Sequence, residues 1–216
     1  VYIDFHTHHP ARGGERVILD GRDTWGIHPW QAHLPHTLPH GPGTLLAIGE
    51  CGLDTHAPAP MPTQTDVLRA QLRMAEEWRL PVILHCVKCL DTLLALHKAM
   101  RPSVPWILHG FRGKPQQLRS LLDAGVHVSF GFRFNPESLV ACPTERLLLE
   151  TDEDTRPVGL LYQEVARLRG VSTESLEADM QEQFQRLFAR HDRHAQAHQQ
   201  DNSGDRQSKK ERAHEE

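Results

Sequence analysis

Two histidines one residue apart, His6 and His8, close the opening run VYIDFHTHH. If that run is a β-strand, alternation puts both imidazoles on one face and turns Thr7 to the other, so the pair makes half of a metal site. A chain with 16 histidines yields such pairs by composition alone, and the pair gains meaning only from partners further along. Those partners recur. Glu50 follows the apolar run from Leu45 to Ile48, His85 follows Val82 to Leu84, His109 follows Val104 to Leu108, and Asp152 follows Arg146 to Thr151. Four imidazoles and two carboxylates, with no thiolate required, suit divalent ions such as zinc, manganese, nickel or magnesium. Six ligands exceed the need of one tetrahedral ion. A carboxylate can bridge two ions about 3.5 to 4 Å apart, the arrangement that clamps the attacking and leaving oxygens in phosphoryl hydrolysis, and Glu50 is the candidate bridge. Each residue also has a plain structural use: Glu50 as a loop cap, His85 and His109 as hydrogen-bonded core residues, Asp152 as a helix N-cap. Their joint recurrence at strand ends is what favours a site.

The elements that must position these residues follow from hydrophobic period. Arg16 to Leu19 is a short strand candidate, Thr24 to His28 an extended run, and the Pro- and Gly-rich stretch from Pro35 to Gly43 a loop. Leu45 to Ile48 is continuous and apolar, a strand buried on both faces that breaks at Gly49–Glu50. Then helix and strand alternate. Thr63, with Asp66 three residues on, predicts an N-cap for a helix carrying Val67, Leu68, Leu72, Ala75 and Trp78, stopped by Pro81. Further helices are expected over Leu90 to Met100, from Pro115 towards Gly125, over Asn135 to Val140, around Leu160 to Leu168, and after Ser172 through Leu176, Met180, Phe184, Leu187 and Phe188. Strands fall between them, including Val126 to Phe130. Parallel β/α units of this kind build either a doubly wound sheet or a barrel. A doubly wound sheet concentrates its site at one crevice, whereas a barrel gathers residues from many strand ends. Ligand-type residues after five strands therefore predict an α/β fold of the TIM-barrel type. The domain is expected to span residues 1–189, with residues 190–216, rich in Gln, His and charge, a disordered tail.

Composition narrows the remaining classes. With 216 residues, 38% of them hydrophobic, the chain suits one ordinary domain, and its net charge of −4 argues against a generally basic nucleic-acid coat. No apolar stretch approaches a membrane span and no secretory signal is visible, so a cytoplasmic protein is expected. Cys51, Cys86, Cys89 and Cys142 form no framework of spaced pairs, as expected of reduced thiols. Cys86 and Cys89 make a lone C-x-x-C without the second pair that would mark a zinc site.

Several of these stretches together resemble the TatD family of metal-dependent deoxyribonucleases, within the amidohydrolase-like barrel superfamily. They are IDFHTHH (3–9), GIHPW (26–30), LLAIGECGLD (45–54), LPVILHCVK (80–88), WILHGFRG (106–113), VSFG (128–131), RLLLETD (146–152) and QRLFA (185–189), in the family's order. The resemblance implies two divalent ions. His6, His8, Glu50 and Asp152 would hold one, with Glu50 shared and His85 and His109 completing the second. It also implies a metal-activated water, with Asp152 as ligand and proton acceptor and Glu50 as bridging catalytic carboxylate. By similarity His28 lies near a substrate phosphate, although a loop-capping role beside Pro29 explains it as well. Lys88 stands where many relatives carry arginine, supplying charge without a bidentate fork. Arg112 and Arg133 are further cationic candidates beside strand ends.

Two departures stand out. Only sixteen residues separate the first motif from GIHPW, so an abbreviated first part of the barrel is expected. After Asp152 the chain continues Glu153, Asp154, Thr155, Arg156, where relatives place a small residue and proline. The expected function is exonucleolytic hydrolysis of DNA from single-stranded ends. Hydrolysis of an amide or ester, such as an aminoacyl-tRNA ester, remains open because the same chemistry attacks carbonyls. So does a non-catalytic role as a subunit of a nuclease or defence complex, docked through the tail.

Overall fold

Eight short apolar runs, each leaving its backbone groups to a neighbour, set the architecture of the computed structural model, which describes residues 1–188. The strands are β1 (Ile3–Thr7), β2 (Arg16–Leu19), β3 (Thr24–Trp25), β4 (Ala47–Asp54), β5 (Val82–Val87), β6 (Trp106–Leu108), β7 (His127–Phe130) and β8 (Leu147–Leu149). Every ladder between them is parallel, with β3 to β8 in chain order in one sheet and β1 with β2 in another. The two sheets meet where β8 passes β1. Thr7 and Asp152 form a parallel bridge, the His8 N–H donates to the Asp152 carbonyl (3.1 Å), and the Asp152 N–H donates to the His6 carbonyl (3.0 Å).

Helices α1 (Met61–Trp78), α2 (Leu90–Met100), α3 (Pro115–Asp123), α4 (Pro136–Ala141) and α5 (Val158–Arg169) follow their strands. Helix α6 (Thr173–Leu187) returns against β1 and β8, where Phe184, and Phe188 just beyond it, lie near Phe5 with ring centroids 6.5 and 6.1 Å away. This is the expected α/β fold of the TIM-barrel type, with its first part shortened. Among the described residues no α-helix lies between β1 and β4, and no ladder joins β2 to β3. A side chain spans that gap instead: Asp20 Oδ1 accepts from Thr24 Oγ1 (2.8 Å) and from the Glu50 N–H (3.2 Å).

Two local expectations are corrected. Strand β4 does not break at Gly49–Glu50 but runs through it to Asp54, with a register shift against β5 between Ile48 and Cys51. The glycines that read as breakers are close-approach positions: a Cβ would meet the Ile83 carbonyl oxygen at 2.5 Å from Gly49 and the His85 carbonyl oxygen at 1.9 Å from Gly52. Helix α1 begins at Met61, not after a Thr63 cap, because Pro62 suits the first turn and the Gln64 amide donates to the Ala59 carbonyl at 2.7 Å. In α5 the buried face is Leu161, Tyr162, Val165 and Ala166, while Leu160 is exposed. The Tyr162 hydroxyl accepts from the Ile3 N–H (3.1 Å) and donates to the Ile3 carbonyl (2.8 Å), tying α5 to β1. The predicted tail, 190–216, lies outside the described residues.

His127, at the start of β7, is buried, and its Nε2 accepts from Arg146 Nη1 at 3.0 Å. Burial, reinforced by the positive charges of Arg146 and Arg186, pushes its pKa down from 6.5 to about 4. Because the folded value lies below the unfolded one, the neutral imidazole's contribution is whole above pH 6.5 and is lost as the pH falls towards 4. Urea titrations from pH 7 to 4 should show the native protein losing up to about 3 kcal/mol more than His127→Gln. Identical losses in the two proteins would contradict this assignment.

Candidate metal centre

The strand ends marked by sequence converge at one mouth of the barrel. β1 delivers His6 from within the strand and His8 just beyond it, while Thr7 turns inward, where its hydroxyl accepts from Thr151 Oγ1 at 2.9 Å. β5 delivers His85, and His109 and Asp152 lie just past β6 and β8. Glu50 comes from the middle of β4, not its end, and is the hub. Its Oε2 lies 3.4 Å from His6 Nε2 and 3.6 Å from His8 Nε2. Its Oε1 lies 2.8 Å from both His85 Nδ1 and His109 Nε2, and 3.3 Å from His28 Nε2. Asp152 Oδ1 closes the first group, 3.5 Å from His8 Nε2 and 3.8 Å from His6 Nε2. Asp152 has φ 58°, a left-handed conformation that Asp tolerates better than most side chains.

The two oxygens of one carboxylate thus face different imidazoles, His6 and His8 at Oε2 and His28, His85 and His109 at Oε1, with the His6 and His109 rings adjoining at 4.6 Å between centroids. Burial pushes the Glu50 carboxyl up, but His109, His28 and His6 outweigh it and hold the group far below the usual carboxylate range. The Asp152 and Glu50 carboxylates raise the His8 imidazole to about 10. Burial alone would push His109 down, yet Glu50 and Glu150 raise it well above an ordinary histidine.

Three carboxylates that sequence reasoning missed stand behind the imidazoles. Asp20 Oδ2 lies 3.7 Å from His8 Nδ1, Asp54 Oδ2 is 3.1 Å from His85 Nε2, and Glu150 Oε1 is 3.3 Å from His109 Nδ1. A carboxylate behind an imidazole fixes its tautomer and raises its basicity as a ligand. Asp54 and Glu150 fall inside quoted motifs, but nothing in an apolar run announces which carboxylate faces a histidine. His6 differs: it is 1% exposed and neither ring nitrogen has a hydrogen-bond partner. Burying an unpaired imidazole is costly unless a further acceptor of its lone pair belongs there. The donor separations match that need, since ligands about 2.1 Å from one ion lie about 3.4 Å apart across a tetrahedron. The donor set, imidazole and carboxylate without thiolate, fits divalent cations.

His28 takes the capping role beside Pro29, and its second ring nitrogen faces the centre. Its Nδ1 accepts from the Trp30 N–H at 3.2 Å, capping the turn at Pro29, while Nε2 reaches Glu50. Lys88 and Arg112 do not join the cluster. Both are exposed and line a groove of about 920 Å³ that also includes His85, His109 and Asp152. Arg112 and Arg133 line a smaller cavity of about 190 Å³ with Glu150, Asp152 and Asp154. Asp154 there is paired with Arg156 at 2.7 Å, and the Arg156 guanidinium lies 3.7 Å from the Phe132 ring centroid, so that carboxylate is neutralised locally.

A parallel β/α barrel with histidines and carboxylates gathered at one mouth defines the class of barrel hydrolases with a metal-binding centre. Within it, the family model described as TatD related DNase matches residues 20–189, and the chain belongs to that family. His6 and His8 precede the matched segment, yet the fold brings them to the same centre. The chain is 33% identical over 201 residues to the 3'-5' ssDNA/RNA exonuclease TatD of Klebsiella pneumoniae, covering 76% of each. It is 31% identical over 200 residues to the protein of that name from Pantoea ananatis, again covering 76% of each. Among solved structures, a TatD homologue from Escherichia coli superposes with a TM-score of 0.68 at 24% identity, over 77% of this chain and 76% of that one. An uncharacterised amidohydrolase from Saccharomyces cerevisiae gives 0.61 at 16% identity, over 82% and 81%. At these identities the structures speak for the fold.

Glu150 is fully buried, and its Oε1 also accepts from the Gly110 N–H at 2.6 Å. Removing that acceptor leaves the half-buried Gly110 N–H without its partner, so Glu150→Ala should destabilise the fold by about 1–3 kcal/mol. Glu150→Gln, which keeps one oxygen, should lose markedly less. Equal losses in denaturant titrations would rule out the pairing as the cause.

Proposed function

We propose that the protein is a metal-dependent exonuclease that hydrolyses phosphodiester bonds at single-stranded ends of DNA or RNA. The observation that carries this reading is Glu50, whose two oxygens face two groups of imidazoles at the head of a groove bearing Lys88 and Arg112. Family membership and the printed activity of the Klebsiella and Pantoea relatives support it. His6, His8 and Asp152 with Glu50 would hold one divalent ion; His85 and His109, with Glu50 shared and His28 alongside, would hold a second. Such ions supply electrophilic charge to the phosphoryl oxygens and lower the pKa of water.

The chain's own residues do the rest. Asp152 reaches both cavities and takes up the proton lost by the attacking water. Lys88 and Arg112 bind phosphates along the strand, Arg112 as a fork and Lys88 as a point charge. Asp20, Asp54 and Glu150 hold the imidazoles of His8, His85 and His109 in fixed orientation. A groove with two cations set in an otherwise acidic chain favours local engagement of a strand over coating of a duplex.

The reading is tested with single-stranded DNA and RNA oligonucleotides labelled at either end, in the presence of manganese or magnesium. Stepwise shortening from the 3′ end, abolished by chelation and by His6→Ala with Glu50→Ala, is the expected result. Cleavage that survives both substitutions would overturn it, as would hydrolysis of an aminoacyl ester by a protein inert to oligonucleotides. Within the same assay Asp152→Asn should lower kcat by about 100-fold or more. Lys88→Ala should mainly raise KM.

A further inference from the structure

The proposed reaction leaves one motif unused. Cys86 lies in β5 directly after His85, Cys89 is the N-cap residue of α2, and both line the groove of about 920 Å³. Their Sγ atoms are 3.6 Å apart. The Cys89 thiol donates to the Leu53 carbonyl at 3.2 Å, which leaves the Cys86 thiol to donate to the Cys89 sulfur. A metal site at this pair lacks its complement: none of the three-ligand clusters among the described residues includes a cysteine, and two thiols fall short of a tetrahedral set. What two touching sulfurs three positions apart can do without other residues is join. A disulfide needs the sulfurs at about 2.05 Å, so closure asks for an approach of about 1.5 Å.

We propose that Cys86 and Cys89 are a modification site for hydroperoxides, closing to a reversible disulfide in the wall of the groove. One sulfur attacks the peroxide O–O bond to give a sulfenic acid and one water; the other displaces the sulfenic hydroxyl, forming the S–S bond and releasing a second water. The two thiols lose two electrons and hydrogen peroxide is reduced. The bond would enclose Lys88, which sits between the cysteines with φ 56°, and would tie the segment after His85 to the first turn of α2. Oxidation therefore changes the presentation of the groove's lysine. Cys51 and Cys142 lie outside this pair, their sulfurs set against the Ile83 and Pro143 carbonyls rather than a second sulfur, and stay thiols.

The test treats the reduced full chain with hydrogen peroxide, alkylates it in denaturant and maps the peptides by mass spectrometry. The expected product is a Cys86–Cys89 cross-link lighter by two hydrogens, reversed by dithiothreitol, with Cys51 and Cys142 alkylated. Free alkylated Cys86 and Cys89, their sulfinic acids without a cross-link, or a bridge to Cys51 or Cys142 would each overturn the site. In a second readout, which rests on the nuclease reading, oxidised protein should cleave single-stranded DNA several-fold more slowly and recover with dithiothreitol, while Cys86→Ser is insensitive to peroxide. A clean cross-link with unchanged cleavage would overturn the coupling to Lys88. The mapping needs no nuclease activity, so a failure of the site and a failure of the nuclease reading are distinguishable.

Discussion

One buried carboxylate surrounded by five imidazoles is the interaction on which this structure depends. Withdrawing an ionised Glu50 from water costs several kcal/mol unless opposite charge and hydrogen-bond donors replace the solvent. Five strand or turn positions distant in sequence, His6, His8, His28, His85 and His109, bring those groups within 3.6 Å of it. Their convergence on Glu50 requires β1, β3, β4, β5 and β6 to end at the same mouth. The scaffold is therefore judged at one point: a shift of any of these strands by one residue turns its ligand-type side chain to the other face.

Several local devices hold that point in place. Gly49 and Gly52 let β4 lie against β5 closely enough for a mid-strand glutamate to reach the centre. The Thr7–Asp152 bridge brings β1 alongside the β8 end, so the IDFHTHH and RLLLETD motifs share one wall. Where the abbreviated first part leaves β2 and β3 without a ladder, Asp20 connects β2 to Thr24 and the Glu50 backbone and still faces His8. The shortening is thus compensated by a carboxylate that serves both the fold and the centre.

Much of this was legible in sequence because side-chain alternation and strand ends carry information that survives without coordinates. The His6–His8 pair is the clearest case: period two predicts one shared face, and the structure has both imidazoles facing Glu50 and Asp152. His28 was half legible: a histidine before proline can cap a turn, and it does, but only three dimensions show that its other ring nitrogen faces Glu50. Asp20, Asp54 and Glu150 were not legible, because the partner of a buried carboxylate is set by tertiary contact and not by its neighbours in the chain. The Gly49–Glu50 break was misread for a related reason: glycine signals a turn or a close approach with the same letter.

The division of Glu50 between two imidazole groups makes a claim about cation placement that activity alone does not reach. Anomalous diffraction at the manganese edge from crystals soaked in manganese tests it most directly. The account predicts two peaks, one on each side of the Glu50 carboxylate and about 3.5 to 4 Å apart, the first beside His6, His8 and Asp152 and the second beside His85 and His109. A single peak, or peaks that do not share Glu50, would contradict it.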